Sequence, residues 1–192
     1  MFRRSLALAA VAALVLAPGA LALRVHVRVE GKTQTIFGAT QPTLTAKANA
    51  LDALEAASLA GEFYYHVAPS TLGPYVDQIG RYPAGGSSGW VFKVNGVASA
   101  VAADEARLRN GDTVLWYWAT FGAKGGPSTL VLRHARGSCY AVFAQDDKGK
   151  LHAAPRAVLH VDGRTIKGRC LGRHRGLVRA TAPGAVRSNA LP

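Results

Sequence analysis

The residues in this chain best suited to chemistry are aromatic. All three tryptophans, Trp90, Trp116 and Trp118, fall between residues 63 and 118, together with Tyr64, Tyr65, Tyr75, Tyr82 and Tyr117. Side chains alternate along a strand, so Trp116 and Trp118 share one face while Leu115 and Tyr117 share the other. A sheet covered by a single helix keeps one face outside that core, where flat rings suit stacking on a planar ligand, a sugar or a partner chain. Trp90 and Trp116 are assigned to packing. Tyr75, Tyr82, Tyr117 and Trp118 form the candidate ligand-binding set.

Other chemistries find less support. Catalysis needs a base beside a nucleophile, or paired carboxylates in an apolar setting. His66, His134, His152, His160 and His174 are scattered, without the i, i+4 spacing of a helical metal pair. His160 and Asp162 share a strand face and come nearest to a weak chelate, and Asp104-Glu105 reads as a turn. The loop from Ala84 to Gly89 lacks lysine and leads into a strand, where a phosphate loop would open a helix. It reads as a flexible connection whose tip can touch a ligand. The expectation is a protein that is not an enzyme, with no catalytic residue, metal or cofactor.

Charge is uneven. The formal net charge is +12, and Leu23 to Leu130 carries 9 Lys/Arg against 8 Asp/Glu, whereas Val131 to Pro192 carries 12 against 3. Arg164, Lys167, Arg169, Arg173, Arg175 and Arg179 form a basic run, the candidate polyanion-binding set. No aromatic residue is interleaved with them, and base stacking needs aromatic platforms, so nucleic acid is a poor fit. Anionic envelope polymers are the better one. A plain solvated basic surface stays open beside that reading.

The elements that must hold these residues begin after an export signal. Arg3 and Arg4, an apolar run from Leu6 to Leu16, a Pro18-Gly19 break and Ala20-Leu21-Ala22 give a cleavable signal peptide over Met1–Ala22 and a secreted or cell-surface product. No later stretch has the roughly 20 apolar residues of a transmembrane span. Alternation from Leu23 to Glu30 predicts a strand, with a turn at Gly31-Lys32 into a second run over Thr33 to Phe37. Asn49 and Asp52 open a helix over Ala50 to Ala60, stopped at Gly61. Strands follow over Phe63 to Val67, Tyr75 to Ile79, Trp90 to Val94 and Thr113 to Trp118, with a tight turn at Asn95-Gly96.

Residues 123–128 read as a linker. Beyond them Leu130 to Leu132, Cys139 to Ala144, Ala157 to Val161 and Leu177 to Ala180 predict a small all-β sandwich over residues 129–192. Its last strand ends abruptly near Pro192, so an incomplete module is one of the readings kept open. Cys139 and Cys170, an even count in an exported chain, predict a disulfide that staples a module close to the minimum size for a core.

The run Gly89-Trp90-Val91-Phe92-Lys93-Val94-Asn95-Gly96, followed by Ala103-Asp104, Leu108, Gly111-Asp112 and Trp116-Tyr117, resembles the bacterial domain related to the C-terminal β-domain of transcobalamin and intrinsic factor. The helix start Ala50-Leu51-Asp52-Ala53-Leu54 and the hairpin before it are similar too, so the likeness covers residues 23–122. It implies an α+β, β-grasp-like domain: a mixed sheet with one helix on one face. It also makes cobalamin, or another corrinoid, the sharpest ligand, although the helical domain that completes the vertebrate site has no room in this chain. The second module resembles Ig-like or carboxypeptidase-regulatory-like modules through Val161 to Thr165 and Val178 to Gly184. Together these imply a secreted binding protein for a small ligand, a glycan or a protein. The alternative is a structural or adhesive envelope protein held by its basic module.

Overall fold

The alternation that starts at Leu23 is carried by β1 (Leu23–Arg24) and β2 (His26–Glu30), in a computed structural model that describes residues 22–38, 41–71, 73–123 and 125–192. The export signal expected over Met1–Ala22 lies outside the described residues except for Ala22, as does Lys124 of the expected linker. Val25, Val27 and Val29 are buried, and His26 between them is exposed. At Gly31 the backbone N–H donates to the Gln34 carbonyl at 2.9 Å, turning the chain into β3 (Thr35–Phe37). β4 (Thr43–Leu44) then pairs with β1.

Helix α1 (Ala50–Gly61) opens on a reciprocal capping box. The Asp52 N–H donates to Asn49 Oδ1 and the Asn49 N–H donates to Asp52 Oδ2, each at 2.9 Å. Its end differs from the expectation of a glycine stop. The helix runs through Gly61, and Glu62 takes the left-handed conformation, with φ 51°. A Cβ at Gly61 would lie 2.7 Å from the Phe37 ring, so this glycine serves helix-to-sheet packing and the next residue makes the turn.

β5 (Tyr65–Ala68), β6 (Tyr75–Ile79) and β7 (Tyr82–Pro83) form a three-stranded antiparallel sheet. β8 (Ser88–Val94), β9 (Val97–Ala98) and β10 (Thr113–Thr120) join β2 and β3 in a five-stranded sheet of order β3-β2-β10-β8-β9. Its central pair, β2 and β10, is parallel, and its other pairs are antiparallel. Helix α1 lies on the face that presents Val27, Val29, Val114 and Trp116, and Trp116 Nε1 donates to the Ala50 carbonyl at 3.3 Å. Trp90 and Trp116 are both buried in this core, as packing residues should be.

The rest of the chain has no helix among the described residues. β11 (Ser128–His134), β12 (Tyr140–Gln145) and β13 (Leu151–Ala153) form one sheet with β17 (Ala185–Val186). β14 (Val158–Val161), β15 (Arg164–Ile166) and β16 (Arg179–Thr181) form the other. A second core of Leu130, Leu132, Leu159, Val178 and Ala180 lies within this part of the chain. Asp162 and Gly163, at φ 49° and 72°, make the tight β14–β15 turn. The Cys139–Cys170 disulfide is formed. The described chain is thus mostly β-sheet with a single helix.

Candidate functional site

The face of the five-stranded sheet opposite α1 presents His26, Arg28 and Glu30 from β2, Leu115, Tyr117 and Ala119 from β10, and Val91 and Lys93 from β8. It is not open to solvent along its length. β11 and the segment around β17 lie against it, and Tyr117, Ala119 and Val186 form a small third apolar cluster. Two charges are fully buried at this junction. Glu30 faces Arg187 at 3.0 Å and Arg179 at 3.3 Å, and Lys93 Nζ donates to the Asp146 carbonyl at 2.9 Å and pairs with Asp147 at 3.2 Å. Gly96, at φ 83°, makes the tight turn, and the end of the Gln145 side chain packs against it.

This covering corrects one member of the aromatic set. Tyr117 is 4% exposed and packs with Ala119 beneath Val186 of β17, so it offers no surface to a ligand. Strand parity does set Tyr117 on the face away from the helix, and that face is filled by another sheet. Tyr82 and Trp118 do come together, with ring centroids 6.1 Å apart, and both contact the buried Trp90 ring. Both are partly exposed, and Tyr75 is the more open at 40%. Arg81 lies over the Tyr82 ring at 5.3 Å, and Trp118, Lys32 and Arg187 line a shallow pocket of about 220 Å³.

Two phenols are shifted upward. Burial, then the nearby Asp147 charge, raises Tyr117 well above the usual tyrosine range, and burial with a hydrogen bond to Glu55 pushes Tyr65 up to about 12. The folded chain therefore keeps these protons after the unfolded chain has begun to lose them near pH 10. Their contribution to stability is whole below about pH 10 and declines above it. In an ultraviolet titration of the folded protein, Tyr117→Phe should remove part of a late-ionising phase. An unchanged late phase would contradict the burial of Tyr117.

A larger opening lies where the two sheets part, near the start of β10 and the end of β11. This cleft, of about 720 Å³, is lined from one side by Arg28, Thr113 and Leu115 and from the other by Val131, Arg133 and Leu191. Its volume is within the range of small-molecule sites. None of the expected site residues lines it.

The basic run divides. Arg164, Lys167, Arg173 and Arg175 are exposed. Arg169 instead donates to the Ala157 and Ala154 carbonyls at 2.8 and 3.2 Å, and Arg179 is taken up by Glu30 and the Ser188 carbonyl. These two are corrected from polyanion ligands to structural groups. His160 bonds Thr181 and Thr165, while Asp162 accepts the Gly176 N–H, so the two do not form a chelate. Among the described residues no group of three His, Cys, Asp or Glu is placed to hold a metal ion.

Residues 47–120 match a family described only as a domain of unknown function, DUF4430. No curated protein matches the chain. Among solved structures, haptocorrin in complex with Cbi is similar at 21% identity and a TM-score of 0.48, over 53% of this chain and 26% of that one. A protein from Ruminococcus gnavus ATCC 29149, described as a candidate metal binding protein, is similar at 16% identity and a TM-score of 0.38, over 50% of this chain and 95% of that one. The chain therefore spans about a quarter of the haptocorrin chain it resembles.

The residues that sequence reasoning passed over are the buried charges Glu30 and Lys93, their respective partners Arg187 and Asp147, and the cleft residues Arg28 and Arg133. Arg28 and Glu30 alternate with buried valines and read as the wet side of a half-buried strand. Lys93 sits in the quoted motif, but nothing in its type marks it as buried.

Proposed function

We propose that this chain is an exported, non-enzymatic binding protein. Its first module, residues 23–122, is of β-grasp type and takes a planar ligand at Tyr82 and Trp118, and its second, residues 129–192, is an Ig-like companion. The observation that carries the reading is the partly open Tyr82–Trp118 pair, backed by the buried Trp90 ring and flanked by the cations of Arg81 and Lys32. A π-face beside positive charge suits a conjugated or sugar ring bearing polar groups. A corrinoid is the sharpest choice within that class. Export is supported by the basic-apolar-small order of residues 1–22 and by the disulfide, a bond that persists in oxidising compartments. No helix among the described residues is long and apolar enough to cross a membrane.

The test is titration of the mature protein, starting at Leu23, with cobalamin. Saturable quenching of tryptophan fluorescence at tens of micromolar or below is expected. Trp118→Ala should weaken binding about tenfold by equilibrium dialysis, the size of one lost aromatic contact. A flat titration removes the corrinoid. The exposed Arg164, Lys167, Arg173 and Arg175 favour a second reading, a structural protein held on an anionic envelope. In that case Trp118→Ala changes nothing, while charge reversal at Arg173 and Arg175 releases the protein from cell envelopes, more readily at high salt.

A further inference from the structure

Three guanidinium groups converge on one carboxylate at the module junction. Arg28, Arg179 and Arg187 stand 3.8, 3.3 and 3.0 Å from Glu30, whose side chain has no exposed surface, while theirs are only 17%, 26% and 19% exposed. Carbonyl groups satisfy further N–H donors, including the Arg187 carbonyl for Arg28 and the Gly31 carbonyl for Arg187. Carbonyls carry no net charge, however. Two positive charges are left without a counterion in a part of the protein that excludes most water, where a charge needs a partner.

Arg28 is the member of this cluster that opens into the 720 Å³ cleft. Its guanidinium is held down to about 10, first by burial and then by Arg179 and Arg187, with Glu30 opposing them. Arg133 reaches the same cleft from β11, and no acidic residue lines it. Leu115 on one side and Val131 and Leu191 on the other, all partly exposed, give the cleft an apolar strip, with neutral polar groups such as Gln41, Asn95 and Asn189 around it.

We propose that the cleft between the modules binds a small amphipathic anion, its oxyanion head on Arg28 and Arg133 and its apolar body along Leu115, Val131 and Leu191. A carboxylate or phosphate head supplies the charge the arginine cluster lacks, and the planar guanidinium fork matches either geometry. The apolar body removes Leu115, Val131 and Leu191 from water. A cationic amphiphile would meet the same walls but two repelling charges, and a bare small anion would gain the charge without the burial. Both features are thus required together. Trp118 does not line the cleft, so this site is separate from the aromatic one.

Calorimetric titration of the mature protein tests this with three probes below micelle-forming concentrations: dodecanoate, dodecyltrimethylammonium and acetate. Dodecanoate should bind saturably at one per chain. The cation of equal length should not bind, and acetate should bind at least a hundredfold more weakly. Because Arg28→Gln also removes an interface contact, the deciding variants are Arg133→Gln and Thr113→Trp, both at exposed positions. Arg133→Gln should weaken dodecanoate about tenfold and Thr113→Trp, which fills the mouth of the cleft, should abolish binding, each with unchanged circular dichroism. Arg173→Glu with Arg175→Glu should leave it unaltered. Equal affinity for the cation, indifference to both cleft variants, or loss on reversing the distant loop charges would each overturn the assignment.

Discussion

Glu30→Ala should destabilise the protein by about 3–5 kcal/mol, the cost of leaving buried charge without its partner. The Glu30 carboxylate accepts from Arg187 Nε at 3.0 Å, Arg179 at 3.3 Å and Thr35 Oγ1 at 2.9 Å. Its removal leaves three guanidinium groups facing one another with no anion among them. The penalty comes from that repulsion and from their lost solvation, more than from the hydrogen bonds themselves. Since Glu30 belongs to β2 and two of its partners lie beyond residue 178, the loss should also loosen the packing of one sheet on the other. Urea unfolding gives the stability change. A double-mutant cycle with Arg187→Ala should return a coupling of about 1–3 kcal/mol, and a loss below about 1 kcal/mol for Glu30→Ala alone would mean that the carboxylate is not buried.

That cluster also shows where reading the sequence stops. Period-two alternation from Val25 through β2 correctly separates Val25, Val27 and Val29 from His26, Arg28 and Glu30, because burial against α1 imposes it. The capping box at Asn49 and Asp52, the Asn95-Gly96 turn and the cysteine pairing are legible because each depends on a few neighbouring residues or on simple counting. What alternation cannot say is whether the polar side of a strand meets water or a second sheet that is itself partly polar. β11 presents Thr129, Val131 and Arg133 towards the first module, as mixed as the face it covers. Only the β2 side of the covered face, His26, Arg28 and Glu30, reads as wet; β10 presents Leu115, Tyr117 and Ala119 there, an apolar row that marks a strand covered on both faces. By parity alone Tyr117 reads as open when it is covered, and Arg169 and Arg179 read as free cations because the sheet pairing that brings the Ala154, Ala157 and Ser188 carbonyls and Glu30 to them leaves no local signal. The Tyr82–Trp118 pair was legible as a set of residue types; its closeness rests on the β8–β10 register, which sets Trp118 opposite Trp90, and on the bond from Trp90 Nε1 to the Tyr82 carbonyl at 2.8 Å.

Replacing Cys139 and Cys170 by serine should cost roughly 3 to 4 kcal/mol, the chain entropy released when a loop of 31 residues is no longer closed. The surroundings make this module the one that suffers. The loop holds β12 to β15, all short, and its second end is the segment around residues 167–177, which has no strand of its own. Beside the bond, the Tyr140 N–H donates to the Arg169 carbonyl at 2.7 Å and the Leu171 N–H to the Ser138 carbonyl at 2.9 Å, while Leu171 is buried in the second core. The bond therefore holds Leu171 in place and, through Arg169, the turn before β14. A module of this size has little apolar burial to set against that loss. Because all three tryptophans belong to the first core, the two parts can be followed separately. In the serine variant, ellipticity from the second module should be lost at lower urea than tryptophan fluorescence, whereas the parent protein should lose both together. Coincident transitions at the parent midpoint would show that the second sheet pair stands on the docked interface alone, with Glu30 and Lys93 as its anchors and the disulfide contributing little.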